Sequence, residues 1–440
     1  MNRKLIPTLA ACLLPLASAS ADPALRSAVA SDYAYLGPLF EHFHRNPELS
    51  FREIETAKRL AAELRLAGFE VTEGVGGTGV GVLMKNGAGP TVMMRADMDG
   101  LPVPERTDLS YASKATQLDV DGVEKPVMHA CGHDAHMTAL VGTARRMAAM
   151  KDRWSGTLML IGQPGEERLG GAQKMMQDGL WKRFGQPDYA LAFHVSSDNE
   201  AGRIAVRDSA AYAGADTVDI IVHGVGAHGA SPHKGRDPVL IGSQIVVALQ
   251  TLVSREISPR KDGVVTVGAF HSGFKHNIIS ERAELSLTVR SDDEATRQAL
   301  LQGVQRIAIN TARAAGIPED RLPTITLSAE TTPPTSNDSA LVARLKQAWI
   351  DGLGREVLAE FDADNMGAED FPYFTTEPPI PSAYFAVGGT PRAVLEAARS
   401  GGPPVPSHHS PIFKITPEPA IRTGVEATVV ALLELMPAGS

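Results

Sequence analysis

The sequence predicts an α/β protein, a mixed-sheet α/β/α domain interrupted by a smaller inserted domain of ferredoxin-like β-α-β-β-α-β order. Short apolar runs alternate with helical stretches, which is the pattern of a sheet covered by helices on both faces. From about Tyr212 to Glu330 that alternation gives way to strand, helix, strand, strand, helix, strand. At 440 residues and 43% hydrophobic composition, the chain can bury two full-sized cores.

The first residues read as an export signal. Asn2-Arg3-Lys4 is basic, Leu5 to Ala17 is apolar, and Ala19-Ser20-Ala21 offers a small-x-small cleavage site before Asp22. The apolar run is too short to span a bilayer. Leu9-Ala10-Ala11-Cys12 resembles a lipoprotein box, but few apolar residues precede the cysteine, so soluble export to the periplasm or medium is the preferred reading. No later stretch predicts a membrane span. The net charge of −9, with no basic stripe, argues against a nucleic-acid partner.

Helical spacing covers Ser31 to Arg45 and stops at Asn46-Pro47. Ser50-Phe51-Arg52-Glu53 predicts a capping box, with Ile54, Ala57, Leu60, Ala61 and Leu64 as the apolar face behind it. Gly68 ends that helix, and a strand follows near Phe69–Val71. Val80–Met84, Thr91–Arg95, Thr157–Ile161 and Tyr189–Phe193 are further strands, and Asp134–Met150 is a helix. In the inserted segment Thr217–His223, Val264–Phe270, Ala283–Arg290 and Thr324–Ala329 are strands. Helices start at Asp237-Pro238, running to about Glu256, and at Asp292, ended by Gly316. Thr331–Ser336 reads as the return linker, and Ala340 to Ser440 rejoins the first domain.

Chemistry concentrates in Met128–His136, where Cys131 shares nine residues with three histidines and an aspartate. Behind the export signal Cys131 is the only thiol, so intramolecular disulfide pairing does not explain it. Thiolate and imidazole suit zinc and its neighbours. A buried cysteine near unrelated histidines would be the ordinary alternative, but three other segments end predicted strands with further ligands. Asp97 and Asp99 follow one strand, Glu166 and Glu167 another, His194 a third, as expected for a site outside the carboxyl ends of an open sheet. Cys131, His133, Glu167, His194 and the distant His409 exceed the needs of one tetrahedral structural zinc. They suit two metals sharing a bridging ligand, with room for water and substrate.

Neighbouring residues in extended chain point to opposite sides, so Glu166 and Glu167 are expected to divide their roles, one as ligand and one as general base. Asp97 and Asp99 could be ligands or could orient the ligating histidines. The second is preferred because the ligand set is already filled, with simple helix or turn capping as the further alternative. His228 lies in the Gly-rich bend Gly224–His233. From there it could reach another domain and stabilise an oxyanion, although alone it would read as a surface histidine. Asn277 and Arg290 carry no signal beyond ordinary hydrogen bonding.

Taken together, Arg95–Pro102, Met128–His136, Gln163–Glu167, Ala192–Val195, Gly224–Pro238, Asn277–Ile279, Gly367–Phe371 and His409-Ser410-Pro411 resemble a known family. It is the metal-dependent amidohydrolases of the aminoacylase, hippurate hydrolase and indole-acetyl-amino-acid hydrolase group, within the dinuclear-metal carboxypeptidase superfamily. The matches run in order through nearly all of the predicted mature chain. The resemblance implies a metallopeptidase-like catalytic domain of residues 22–211 and 331–440, with residues 212–330 as an inserted lid and dimerisation domain. It implies two divalent metal ions per subunit, zinc first, with manganese, cobalt or nickel as alternatives.

By the same resemblance Cys131 would bridge the metals, and His133, Glu167, His194 and His409 would complete the set. Of the adjacent His408 and His409, the family pattern before Ser-Pro selects His409. Glu166 would be the general base. His228 would stabilise the oxyanion, in some relatives from a neighbouring subunit, so a homo-oligomer is expected. Asn277 and Arg290 would hold polar groups of the substrate. The substrate would be an N-acyl amino acid, and the family includes bacterial members that hydrolyse ochratoxin A, an N-acyl phenylalanine. Two rival readings are a cysteine-nucleophile amidase using Cys131 and an exported metal- or amino-acid-binding protein. The first leaves Glu166, Glu167, His194 and His409 without work, and the second predicts bound metal without turnover.

Overall fold

The computed structural model describes residues 22–360 and 366–439. The predicted export segment, Met1 to Ala21 with Cys12, lies outside the described residues. The middle layer is an eight-stranded sheet in the order Glu70–Val75, Gly79–Asn86, Gly156–Gln163, Thr91–Asp97, Tyr189–Glu200, Ser382–Thr390, Ile204–Ala205, Leu358–Ala359. Gly79–Asn86 runs antiparallel to both neighbours, whereas Gly156–Gln163 through Ser382–Thr390 are parallel. Parallel strands are covered on both faces, and here alternate residues divide between two cores. Met94, Leu158, Leu160 and Leu191 pack under Pro23–Arg45, Ile54–Leu66, His133–Ala149, Ser339–Leu353 and Pro417–Leu435. Met93, Met159, Ile161 and Ala190 face Gly171–Gln177, Leu180–Phe184 and Pro372–Thr375.

Three local expectations are corrected. The first helix starts at Pro23 rather than Ser31, because Asp22 caps it by accepting from the Leu25 amide at 3.0 Å and proline is preorganised at the first helical position. The capping box at Ser50–Glu53 does not form. Ser50 Oγ donates to Asp99 at 2.6 Å, and Glu53 accepts from the Phe51 and Gly165 amides at 2.9 and 2.7 Å, so tertiary partners take both side chains from the helix end. The strand predicted to stop at Phe193 continues to Glu200, because Ser382–Thr390 pairs along it. His194 therefore sits inside a strand, not beyond it.

The smaller sheet is antiparallel throughout, in the order Gly263–Ser272, Arg282–Ser291, Gly214–His223, Thr324–Thr332. With Pro238–Thr251 and Glu294–Ala314 packed on it, the chain order is β-α-β-β-α-β, the ferredoxin-like arrangement. Asp237 and Asp293 cap the two helices. Among the described residues, Pro238–Glu256 is the one helix long and apolar enough to cross a membrane by length and composition. Its Ile241, Ile245, Leu249 and Leu252 fill the small core, which accounts for part of that apolarity, while Leu240 and Val247 are exposed on its outer side. The segments joining the two sheets, Ala210–Tyr212 and Thr335–Ser336, pair antiparallel with each other, so the expected linker is partly a ribbon.

Candidate metal centre and active site

The parallel strands Thr91–Asp97 and Gly156–Gln163 deliver their carboxyl ends beside the start of His133–Ala149. Between Cys131 and His133 the backbone turns through Gly132 at φ 89°, and a Cβ there would lie 2.3 Å from Val195 Cγ1. This close approach brings the Cys-Gly-His turn against the strand that carries His194.

His133 and His194 each use one ring nitrogen on a carbonyl and turn the other toward the cluster. His133 Nδ1 donates to the Asp99 carbonyl at 2.8 Å, leaving Nε2 buried without a partner. His194 Nδ1 donates to the Val195 carbonyl at 2.7 Å, with Nε2 3.3 Å from Cys131 Sγ. A carbonyl can only accept, which assigns the tautomers in the way common for metal-ligating imidazoles. His409, in the left-handed region at φ 66°, places Nε2 3.3 Å from Glu167 Oε2. Its neighbour His408 instead donates from Nε2 to the Val195 carbonyl at 2.9 Å.

The glutamate pair corrects an expectation. Glu166–Arg168 is a 3-10 turn, not extended chain, and both carboxylates enter the same cluster, 3.9 Å (Glu166) and 3.8 Å (Glu167) from His133 Nε2. The turn is held because the amides of Glu166 and Glu167 donate to the Asp99 carboxylate at 3.2 and 3.0 Å. Asp97 bonds His136 Nδ1 and Arg95 Nη1, each at 2.6 Å, and His136 Nε2 accepts from the Val195 amide at 2.8 Å. Asp97 and Asp99 thus brace the cluster from behind.

Two donor sets meet at Cys131, one with His133 and His194, the other with Glu167 and His409, the ligand atoms of each set lying within 4.8 Å of one another. The buried Glu167 Oε1, like His133 Nε2, has no hydrogen-bond partner. Orphaned atoms in a set of soft and hard donors fit two divalent cations sharing the thiolate. Electrostatics agree. Burial, with the Glu167 and Glu166 carboxylates beside it, pushes the Cys131 thiol up. Burial also raises Glu167 to about 8 and, with Glu369 and Glu167 nearby, lifts Glu166 well above the carboxylate range. Bound cations would reverse these directions.

The sequence reading did not single out the ionic platform below. Arg95, fully buried, donates to Glu369 at 2.6 Å and to Gln163 at 2.7 Å as well as to Asp97. Tyr384 donates to Glu369 at 2.6 Å, and Gln163 to Asp370 at 2.5 Å. Glu369 and Asp370 were legible only inside the matched segment Gly367–Phe371.

Above the cluster opens a cavity of about 540 Å³, lined by Cys131, Glu166, Glu167, His194 and His409 and also by Tyr212 and Arg290. Arg290 is half-buried and, among the described residues, spends only Nε on a side chain, Thr288 Oγ1 at 3.2 Å. His228 and Asn277 are not brought here. The short strand Ala227–His228 pairs with Ile278–Ile279, and His228 and Asn277 line a separate depression beside the exposed Phe274. Their place at a small two-stranded ribbon of the inserted segment, lining a different depression, is the physical reason that one chain does not unite the whole expected set.

The sequence pattern of the peptidase family M20/M25/M40 matches residues 93–400. The chain is 40% identical over 272 residues to a hippurate hydrolase of Campylobacter jejuni, covering 62% of this chain and 68% of that protein. It is 35% identical over 373 residues to the IAA-amino acid hydrolase ILR1-like 2 of Arabidopsis thaliana, covering 84% and 79%. The crystal structure of the Bacillus subtilis YXEP protein, a dinuclear metal binding peptidase from the M20 family, superposes with a TM-score of 0.73 at 26% identity, covering 94% of this chain and 99% of that one. With the two donor sets that meet at Cys131, these likenesses place the chain in peptidase family M20/M25/M40, as a metal-dependent amidohydrolase that cleaves the amide bond of N-acyl amino acids.

Proposed function

We propose that Cys131, His133, Glu167, His194 and His409 hold the two metal ions and that Glu166 is the general base. The observation that carries this reading is the convergence of two donor sets on Cys131, with His133 Nε2 and Glu167 Oε1 buried and unbonded. The ions, when bound, polarise the amide carbonyl and make water acidic enough to attack at neutral pH. Glu166 takes the proton of the attacking water and passes it to the leaving nitrogen, from its place 3.9 Å from His133 Nε2. Arg290 neutralises the carboxylate of the amino-acid half. A nucleophilic thiolate is disfavoured, because the environment raises the Cys131 thiol instead of lowering it.

The finer assignments are part of the same proposal. The preferred substrates are N-acyl amino acids with aromatic groups, of the hippurate or ochratoxin kind. Zinc, or manganese, cobalt or nickel in its place, is the working metal. Residues 212–330 act as a lid and dimerisation domain, so that His228 and Asn277 of one subunit serve the cavity of another in a homo-oligomer. The protein works outside the cytoplasm, as the leader suggests.

Hydrolysis of an N-acyl amino acid panel, before and after chelation with metal add-back, tests the reading. Activity should vanish with chelator and return with a divalent ion. Activity indifferent to chelator would transfer the chemistry to Cys131, and bound metal without turnover would make the chain a binding protein.

A further inference from the structure

Three tyrosines stand close to the centre, and their hydroxyls differ. Tyr384 donates to Glu369 at 2.6 Å, and Tyr373 donates to the Thr331 carbonyl at 2.6 Å. Tyr212 makes no hydrogen bond through its hydroxyl to any described residue. Tyr212 is half-buried and lines the reaction cavity, so its unengaged hydroxyl is available to a ligand there.

Its position is held from several directions. Tyr212 pairs with Thr335 in the ribbon between the two sheets, and the next amide, Ala213, donates to the Gly367 carbonyl at 2.8 Å. Its ring meets Tyr384 edge to face at 5.1 Å and lies 6.2 Å from the His194 ring. It lines the same cavity as Cys131, Glu166 and His194. A free phenol keeps its proton to about pH 10, and burial with Glu369 and Cys131 nearby holds this one higher still. It is therefore a neutral donor on a fixed arm, which is what a developing oxyanion requires. His228, the donor expected from the sequence, is absent from this wall of the cavity.

We propose that Tyr212 is a catalytic residue whose hydroxyl donates a hydrogen bond to the amide oxygen as the carbonyl becomes tetrahedral. The proposal rests on the amidohydrolase reading and adds a donor from the chain's own crossing strand.

Tyr212→Phe removes only the O–H and breaks no hydrogen bond to a described residue. Metal content and melting temperature should match the wild type, with KM unchanged and kcat lowered by roughly 100- to 1,000-fold, the range for loss of one oxyanion donor. Binding is a second readout, independent of turnover. A phosphinic analogue with a tetrahedral P–O⁻ in place of the carbonyl should lose affinity in the variant by a similar factor, while the free amino-acid product should not. Wild-type kcat, a loss confined to KM, or unchanged affinity for the analogue would each overturn the assignment. A wild-type protein that hydrolyses no N-acyl amino acid with metal supplied would overturn the amidohydrolase reading and this proposal with it, and that outcome is separable because it involves no variant.

Discussion

Gly132 shows how much of the centre depends on one missing side chain. It separates Cys131 from His133 at a positive φ, with Val195 where its Cβ would go. In Gly132→Ala the left-handed backbone and the collision together should cost on the order of 1–3 kcal/mol. Relief of the clash would move the thiol or the imidazole, so metal analysis should show substoichiometric binding alongside a lower melting temperature. Full metal occupancy at an unchanged melting temperature would mean the turn relaxes elsewhere. At this scale the sequence is most legible where residue type is chemically narrow. A thiol among imidazoles invites few chemistries, so Cys131, His133 and His194 stand out before any coordinates. Arg95 and Tyr212 do not, because arginine and tyrosine serve many purposes. Their roles arise from partners far along the chain, Glu369 for one and Tyr384 and Thr335 for the other.

Among the elements, the first helix braces the one that carries His133. His44, near the end of Pro23–Arg45, bonds Asp134 at 2.6 Å and Glu105 at 3.1 Å. Burial alone would lower the imidazole, but the two carboxylates override it and raise it to about 9. Because this value lies above that of the unfolded chain, about 6.5, the stabilisation is complete below pH 6.5 and disappears as pH rises through about 9. Its size is about 3 kcal/mol. His44→Gln should therefore be less stable than wild type near pH 6, with the gap narrowing by pH 9–10 in denaturant titrations. A gap independent of pH would mean His44 acts by packing alone. Element identities were readable from periodicity, whereas their ends were not. Ser50 and Glu53 have the residues of a capping box, yet Asp99 and Gly165 claim them. The glutamate pair looked extended until the Asp99 carboxylate bent it into a turn. Local patterns cannot anticipate such distant acceptors.

For the whole molecule, the separation of His228 from the cavity leads to a mixing experiment. Glu166→Gln and His228→Ala should each be nearly inactive alone. If His228 serves a neighbouring subunit, co-refolded mixtures regain a fraction of wild-type turnover, because one site of each mixed pair keeps both groups. No recovery would mean that each subunit uses its own histidine. The ferredoxin-like insertion itself was legible, since its strands and helices have clear periods. Where its loops meet the cavity was not, because that depends on placement between bodies rather than on any local pattern. The sheet order has one more consequence, which concerns the order of synthesis. Ser382–Thr390 lies inside the eight-stranded sheet beside Tyr189–Glu200, although the whole inserted segment and more is translated between them. His409 follows later still. A nascent chain therefore carries Cys131, His133, Glu167 and His194 with a gap in the sheet and an incomplete set of the proposed ligands. Neither the hydrophobic layer nor the metal pair can close before the last tenth of the polypeptide has been made. Maturation and metal loading then become a single late event, and a truncated chain ending before His409 is a poor trap for metal.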